Sequence, residues 1–430
     1  MKYFYYFFIV VFTLSACRGD QDEDPPQISF ISPTENTSAE VGESYTVKAK
    51  IQDNEIVKSV RLSLINSATK VPVLSAKAFH PNTASYDLNY EFELSNPQLE
   101  KGSYYFELYA DDGDNEMSAF RTVKVNQAPR VLKGLLLLTK SNSLGTNLSV
   151  LELNQSSPTA IANLNIELKK AVLNNLYQQL WLVPKGKNDV QLFDLNKELT
   201  ISTIPSPNSP KNDAFSYAQL DENLLYLSDY NGLINAYSTN VSDRFTYSSS
   251  NQTYVETFDV FNERIFIAEQ GNGIGGTLLR MIWKISGGVI SSANINKDVK
   301  AICARTENVA FLFSNQSGST KIEDYFFSNG SAVQLATITN DLIKEVIRIS
   351  SNFYLLVGNS GVYYFDYRWK RVTTIKNAKI NSVTLDKSRG EFLVAYNNKV
   401  DIYSAKTFQL INSYTIGNEE VLFAAFWFNR

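Results

Sequence analysis

From Val131 onward the chain repeats one unit: an apolar strand, a polar turn, then a second strand ending in an aromatic residue or an Asp. The segments "LLLLTKSNSLGTNLSVLEL", "LWLVPKGKNDVQLFDL", "LLYLSDYNGLINAY", "RIFIAEQGNGIGGTLLRMIWKI", "VAFLFSNQSGSTKIEDYFF", "FYLLVGNSGVYYFDY" and "EFLVAYNNKVDIYSA" begin at residues 135, 180, 224, 264, 309, 353 and 391, so successive units lie 38 to 45 residues apart. Apolar stretches precede these hairpins ("FSYAQL", "VETFDV", "VKAICA", "VIRIS", "INSVTL") and others follow them ("ELTISTI", "SAVQLATI", "RVTTIK", "FQLINSYTI"). Four strands at a period in the forties is the pattern of a propeller blade. Such a unit hides its two faces only against neighbours, so the ends of the array must meet. The first hairpin follows "NQAPRVLK", which holds no clear strand, whereas the chain ends in the orphan strand "EEVLFAAFWFNR". The expectation is a seven-bladed β-propeller over residues 127–430, closed by the C-terminal strand completing the first blade.

The stretch 27–126 has a different rhythm. "ESYTVKAKIQD" alternates Tyr45, Val47, Ala49 and Ile51 with polar residues, and "KSVRLSLIN" does the same with Val60, Leu62 and Leu64. "YDLNYEFEL", "GSYYFELYAD" and "AFRTVKV" continue the period of two, with turn residues between. Half-buried strands at this spacing over about 100 residues form a β-sandwich. With 13% aromatic residues, including 24 Tyr and 26 Phe, the composition favours strands throughout, and the fold class is all-β.

"PPQISFISPTENTSAEVGESYTVKAKIQDNEIVKSVRLSLIN" and "KGSYYFELYADDGDNEMSAFRTVKV" resemble the two ends of a bacterial immunoglobulin-like domain, with its Ser-Pro turn, its Gly before the second strand and its Gly-x-Tyr strand. The resemblance implies a spacer or binding module. The later hairpins "LYLSDYNG" and "LLVGNSG" are similar to bacterial propellers with a "YVTN"-type strand, though the motif is degenerate in the other units.

The N-terminus sets the expected address. "MKYFYYFFIVVFT" places Lys2 before an apolar run from Tyr3 to Val11, the pattern of a secretory signal and far short of the about 20 apolar residues that span a bilayer. Leu14-Ser15-Ala16-Cys17 resembles the lipobox of bacterial lipoproteins. That resemblance implies cleavage after residue 16 and lipid attachment at Cys17, hence a membrane partner through the anchor. Residues 17–26 then read as an acidic tether stiffened by Pro25 and Pro26. An acidic segment behind the lipidated Cys also resembles the export signal of surface lipoproteins in Bacteroidetes, which implies an outer-membrane lipoprotein facing the periplasm or the cell surface. The "RGD" at Arg18 to Asp20 would lie against the membrane and carries little weight as an adhesion motif. Cys303 is the other cysteine, so no disulfide forms once Cys17 carries lipid; it reads as a small buried hydrophobe.

Few residues announce chemistry. A net charge of −4 over 430 residues gives no basic field for nucleic acid. His80 is the single histidine and falls outside the repeats, which disfavours a Ser-His-Asp site and His-based metal or haem ligation. Asp111-Asp112-Gly113-Asp114-Asn115-Glu116 reads as a hairpin turn before it reads as a calcium loop. The glycines of "EQGNGIGGTLLR" join two strands instead of opening a helix, so they do not form a phosphate loop. Asp229, Asp259, Asp366 and Asp386 lie near strand ends, where Asp is routine but where a carboxylate site is also built. "NSPKND" and "TYSSSNQT" are polar loops that could meet a ligand. No catalytic, metal or cofactor residue is assigned. The expectation is a lipid-anchored envelope binding or scaffold protein whose propeller meets a protein or glycan. The alternative is an exported carboxylate- or calcium-dependent enzyme acting on a polysaccharide. Clustered Asp and Glu at a channel mouth favour the enzyme; a mouth of Asn, Ser and aromatics favours the binder.

Overall fold

The computed structural model describes residues 24–94, 99, 101–126, 130–141, 145–249, 253–271 and 275–429. Residues 1–23, which hold the expected signal segment, Cys17 and most of the expected tether, lie outside them. All secondary structure among the described residues is β. The chain divides into two compact units, with the boundary between Arg130 and Val131.

The N-terminal unit holds two sheets. One orders Gln27–Ser32, Ser44–Val57 and Thr83–Glu93; the other orders Thr37–Glu40, Glu116–Asn126, Gly102–Asp111, Ser59–Asn66 and Lys77–Phe79. Inward-facing residues of both sheets, among them Val47, Ala49, Ile51, Leu62, Leu64, Phe106 and Leu108, form one core. The period-two alternation is what permits this, since each strand offers one apolar face. The Tyr45 hydroxyl lies 3.3 Å from both the Thr37 and the Lys124 carbonyl oxygens, and its ring meets Phe106 edge-on.

The C-terminal unit consists of four-stranded antiparallel sheets, seven of them among the described residues. Six run in simple chain order. The remaining one, the first, orders Thr159–Leu164, Thr146–Leu151, Leu132–Lys140 and Val421–Phe428, so its two ends come from opposite ends of the unit. Phe426 stands opposite Leu135, and Ala424 opposite Leu137. One strand of each sheet lies innermost: Val421–Phe428 in the first, then Leu168–Asn174, Phe215–Asp221, Thr253–Phe261, Asp298–Thr306, Ile343–Arg348 and Ser382–Asp386 in the second to seventh. The innermost strands of the second to sixth sheets approach one another in succession, and Val421–Phe428 approaches those of the second and seventh, which gives the unit its propeller-like arrangement.

Apolar clusters fill the space between successive sheets. Leu182 and Phe193 of the second pack on Leu138 and Phe423 of the first; Val357 of the sixth packs on Val394 of the seventh. The first and seventh sheets share a cluster too, through Leu137, Phe426, Leu393 and Ile402. Second strands such as Gln179–Pro184, buried at every position, are apolar on both faces because both faces meet a neighbour. In the fourth and fifth sheets a threonine hydroxyl ties the return loop to the next innermost strand. Thr320 Oγ1 donates to the Asp341 carbonyl and accepts from the Ile343 amide; Thr277 treats the Lys297 carbonyl and Val299 amide in the same way.

Candidate functional site

The innermost strands share an irregularity. The pairing register shifts by one residue between Leu168 and Lys170, Phe215 and Tyr217, Val255 and Thr257, Val299 and Ala301, Ile343 and Glu345, and Val421 and Phe423. In the seventh sheet Ile380 and Asn381 hold the matching places, the Asn381 amide donating to Ala395. The residue before each shift is apolar and buried: Leu168, Phe215, Val255, Val299, Ile343, Ile380 and Val421. The next is the extra one, and a bulge re-aims it out of the ladder. Four consecutive bulge residues, Ser216, Glu256, Lys300 and Lys344, line one cavity of about 250 Å³ together with Tyr217, Asn315, Leu342, Ile343 and Asn359. Asn315 and Asn359 come from the ends of second strands, so the cavity sits at the end where innermost strands begin.

Charge at this mouth is mostly paired. Lys300 Nζ lies 3.0 Å from Glu256 and 3.1 Å from Asp298. Burial disfavours the Lys300 ammonium, but these carboxylates more than offset it and hold its pKa above the usual lysine value. Lys169 pairs with Asp213 at 2.9 Å. Lys170 reaches Glu345 at 2.9 Å, joining the innermost strands of the second and sixth sheets, and lies over the Tyr217 ring. Burial pushes the Tyr217 hydroxyl up to about 12. Lys344 differs: its Nζ donates to the Ile380 carbonyl at 2.8 Å, and burial lowers its pKa despite Glu345 and Asp341 nearby.

Deeper along the same strands lies a second polar cluster. Asp259 accepts from Gln219 Nε2 at 3.0 Å and from the Ala304 amide at 2.7 Å, and faces Arg348 at 3.5 Å. Burial raises the Asp259 pKa against the pull of Arg348. Cys303 is buried and lies 3.8 Å from Arg348, so it packs in the core as expected but on a polar neighbour. Burial pushes its thiol well up, and it holds its proton at neutral pH.

The four aspartates singled out above are not brought together. Asp229, Asp366 and Asp386 each accept backbone N–H groups of their own turn, at Asn231, Arg368 and Ser388 respectively. Asp259 alone belongs to the interior cluster. Asp111 and Asp112 likewise accept from Gly113, Asp114 and Asn115, and Gly113 takes a φ of 102°, so this stretch is a hairpin turn. His80 is exposed in a loop. Gly276, at φ 113°, opens the strand Thr277–Trp283, so the glycine stretch connects two strands; residues 272–274 lie outside the described ones. Of the polar loops, "NSPKND" ends at Asp213, which accepts from the Gly186 amide and holds Lys169; "TYSSSNQT" includes 250–252, outside the described residues. No group of three or more His, Cys, Asp or Glu is placed to hold a metal among the described residues. The bulge residues escaped the sequence reading, although their signal is visible as paired polar residues ("LKK", "VET", "IKE") that break the period of two.

No family model and no curated protein matches the chain. Solved structures that overlap it include a quinonprotein alcohol dehydrogenase-like protein from Bacteroides thetaiotaomicron, at 11% identity over 92% of this chain and 97% of that one, with a TM-score of 0.43. The computationally designed Ika8 protein overlaps at 9% identity over 68% of this chain and 89% of that one, with a TM-score of 0.44. Kluyveromyces lactis Hsv2 overlaps at 10% identity over 67% of this chain and 100% of that one, with a TM-score of 0.41. At these values none of the three transfers a function to this chain.

Proposed function

We propose that this chain is a lipid-anchored envelope protein that binds a glycan at the mouth formed by its innermost strands. On this reading Cys17 carries the lipid in the outer membrane, residues 17–26 are the tether, and an immunoglobulin-like sandwich over 27–126 serves as spacer. The C-terminal unit is a closed seven-bladed propeller, with Val421–Phe428 as the closing strand. The observation that carries the binding role is the cavity itself. Four bulges in succession turn Ser216, Glu256, Lys300 and Lys344 toward one space, joined by Asn315 and Asn359. Concave sites with a few convergent polar groups are where ligands bind, and bulges that re-aim side chains cluster at such sites.

The test is capture of envelope polysaccharide by the purified chain and by its Asn359→Trp variant. Asn359 is exposed, and an indole there fills the mouth without entering the core. Wild type is expected to retain glycan and the variant to lose it with an unchanged melting temperature. Equal capture by both contradicts the proposal. Labelling with radioactive palmitate, present in wild type and absent in Cys17→Ser, checks the anchor separately.

A further inference from the structure

The polar groups around the cavity are not balanced. Its one lining carboxylate, Glu256, is taken by Lys300, which also meets Asp298. The acids nearest Lys344 are engaged elsewhere as well. Glu345 is held by Lys170 at 2.9 Å, and Asp341 accepts from the Leu342, Asn359 and Ser360 amides and from the Tyr363 hydroxyl. Lys344 itself forms no ion pair among the described residues; its ammonium gives one hydrogen bond, to the Ile380 carbonyl, and keeps two N–H groups. Asn315 Oδ1 lies 3.1 Å from Thr320 Oγ1, and the Asn315 amide nitrogen has no partner among the described residues. The Asn359 side chain has no partner among the described residues. The free groups are therefore mostly donors, around one positive charge that has no carboxylate partner among the described residues. A bound anion supplies that partner, and hydrogen bonds from an ionised donor to an anion are the stronger kind.

We propose that the mouth takes an anionic sugar, its oxyanion held by Lys344 beside Lys300 and its hydroxyls by Asn315 and Asn359. This rests on the binding role of the mouth proposed above and adds the chemical class of the ligand. A cavity of about 250 Å³ suits one sugar residue, not an extended chain. The oxyanion is the shared chemistry of a uronate and a sugar phosphate, and lysine, a point charge with three donors, accepts either.

The full chain in detergent is titrated calorimetrically at pH 7 and low salt with glucuronate, glucose 6-phosphate and glucose. At least one anion is expected to bind about tenfold or more tightly than glucose, since hydrogen bonds between ionised groups are the stronger kind. Whichever anion binds identifies the source. Lys344→Met is expected to lose this preference and Lys344→Arg to keep it. Asn359→Asp, a surface change that sets a like charge beside the oxyanion, is expected to weaken the anion independently of any effect of Lys344→Met on folding. Glucose binding as tightly as the anions, with loss in Asn359→Trp, leaves the mouth as a binding site and overturns the ligand class. Anion binding that survives Asn359→Trp overturns the mouth itself. Failure of both anions to bind overturns the ligand class.

Discussion

Lys170 and Glu345 show how single side chains shape the mouth. Each is about a quarter exposed, and the pair joins the innermost strands of the second and sixth sheets. Removing one partner leaves a half-buried charge alone, whereas removing both leaves none. Glu345→Ala is therefore expected to cost about 2 kcal/mol in a urea titration. The double variant Lys170→Met/Glu345→Leu is expected to recover most of that loss. A double variant less stable than the sum of the two single ones contradicts the assignment. Gly276 is a residue of the opposite kind, fixed by backbone geometry. At φ 113° an added Cβ lies 2.1 Å from the Ile295 carbonyl oxygen, so no side chain fits there.

At the level of elements, most strands were legible and their irregularities were not. Strands in the C-terminal unit are apolar hairpins bounded by Gly, Asn and Asp, and that pattern reads directly from the sequence. The return of Val421–Phe428 to Leu132–Lys140 was legible for a different reason: one hairpin lacked an inner partner and one strand lacked a hairpin. The bulges were hidden because a bulge is a property of two strands. "FSYAQL" shows an apolar stretch, but that Ser216 is the extra residue emerges only from the pairing of Phe215 with Asp229 and Tyr217 with Ser228. The candidate site consists largely of such residues, so it was missed while Asp229, Asp366 and Asp386, ordinary turn residues, drew attention. The threonine clasp is likewise a pairwise feature. Thr320→Val keeps the shape but leaves the Asp341 carbonyl and Ile343 amide without their buried partner. It is expected to lower stability by about 1–3 kcal/mol, with Lys321→Ala, on the same strand, close to neutral as the control.

For the whole molecule the decisive feature is how the C-terminal unit ends. Every sheet there is apolar on faces that only a neighbouring sheet covers, and the cluster of Leu137, Phe426, Leu393 and Ile402 joins the first sheet to the seventh. Around this seam side chains add their own ties. Asn381 Nδ2 donates to the Val421 carbonyl and the Thr384 hydroxyl to the Ala424 carbonyl, both from the seventh sheet to the closing strand of the first. On the proposed reading of a closed propeller, a mouth assembled from bulges on successive innermost strands keeps its geometry only while those strands are held together. The proposed ligand site therefore depends on the seam, although no seam residue lines the cavity.

Hydrogen exchange of the amides in Leu132–Lys140 and Val421–Phe428 tests this dependence most directly. In a closed ring these amides exchange only on global unfolding, with the same protection as the buried strand Gln179–Pro184. Exchange of Val421–Phe428 at the rate of a free edge, while Gln179–Pro184 stays protected, contradicts the account.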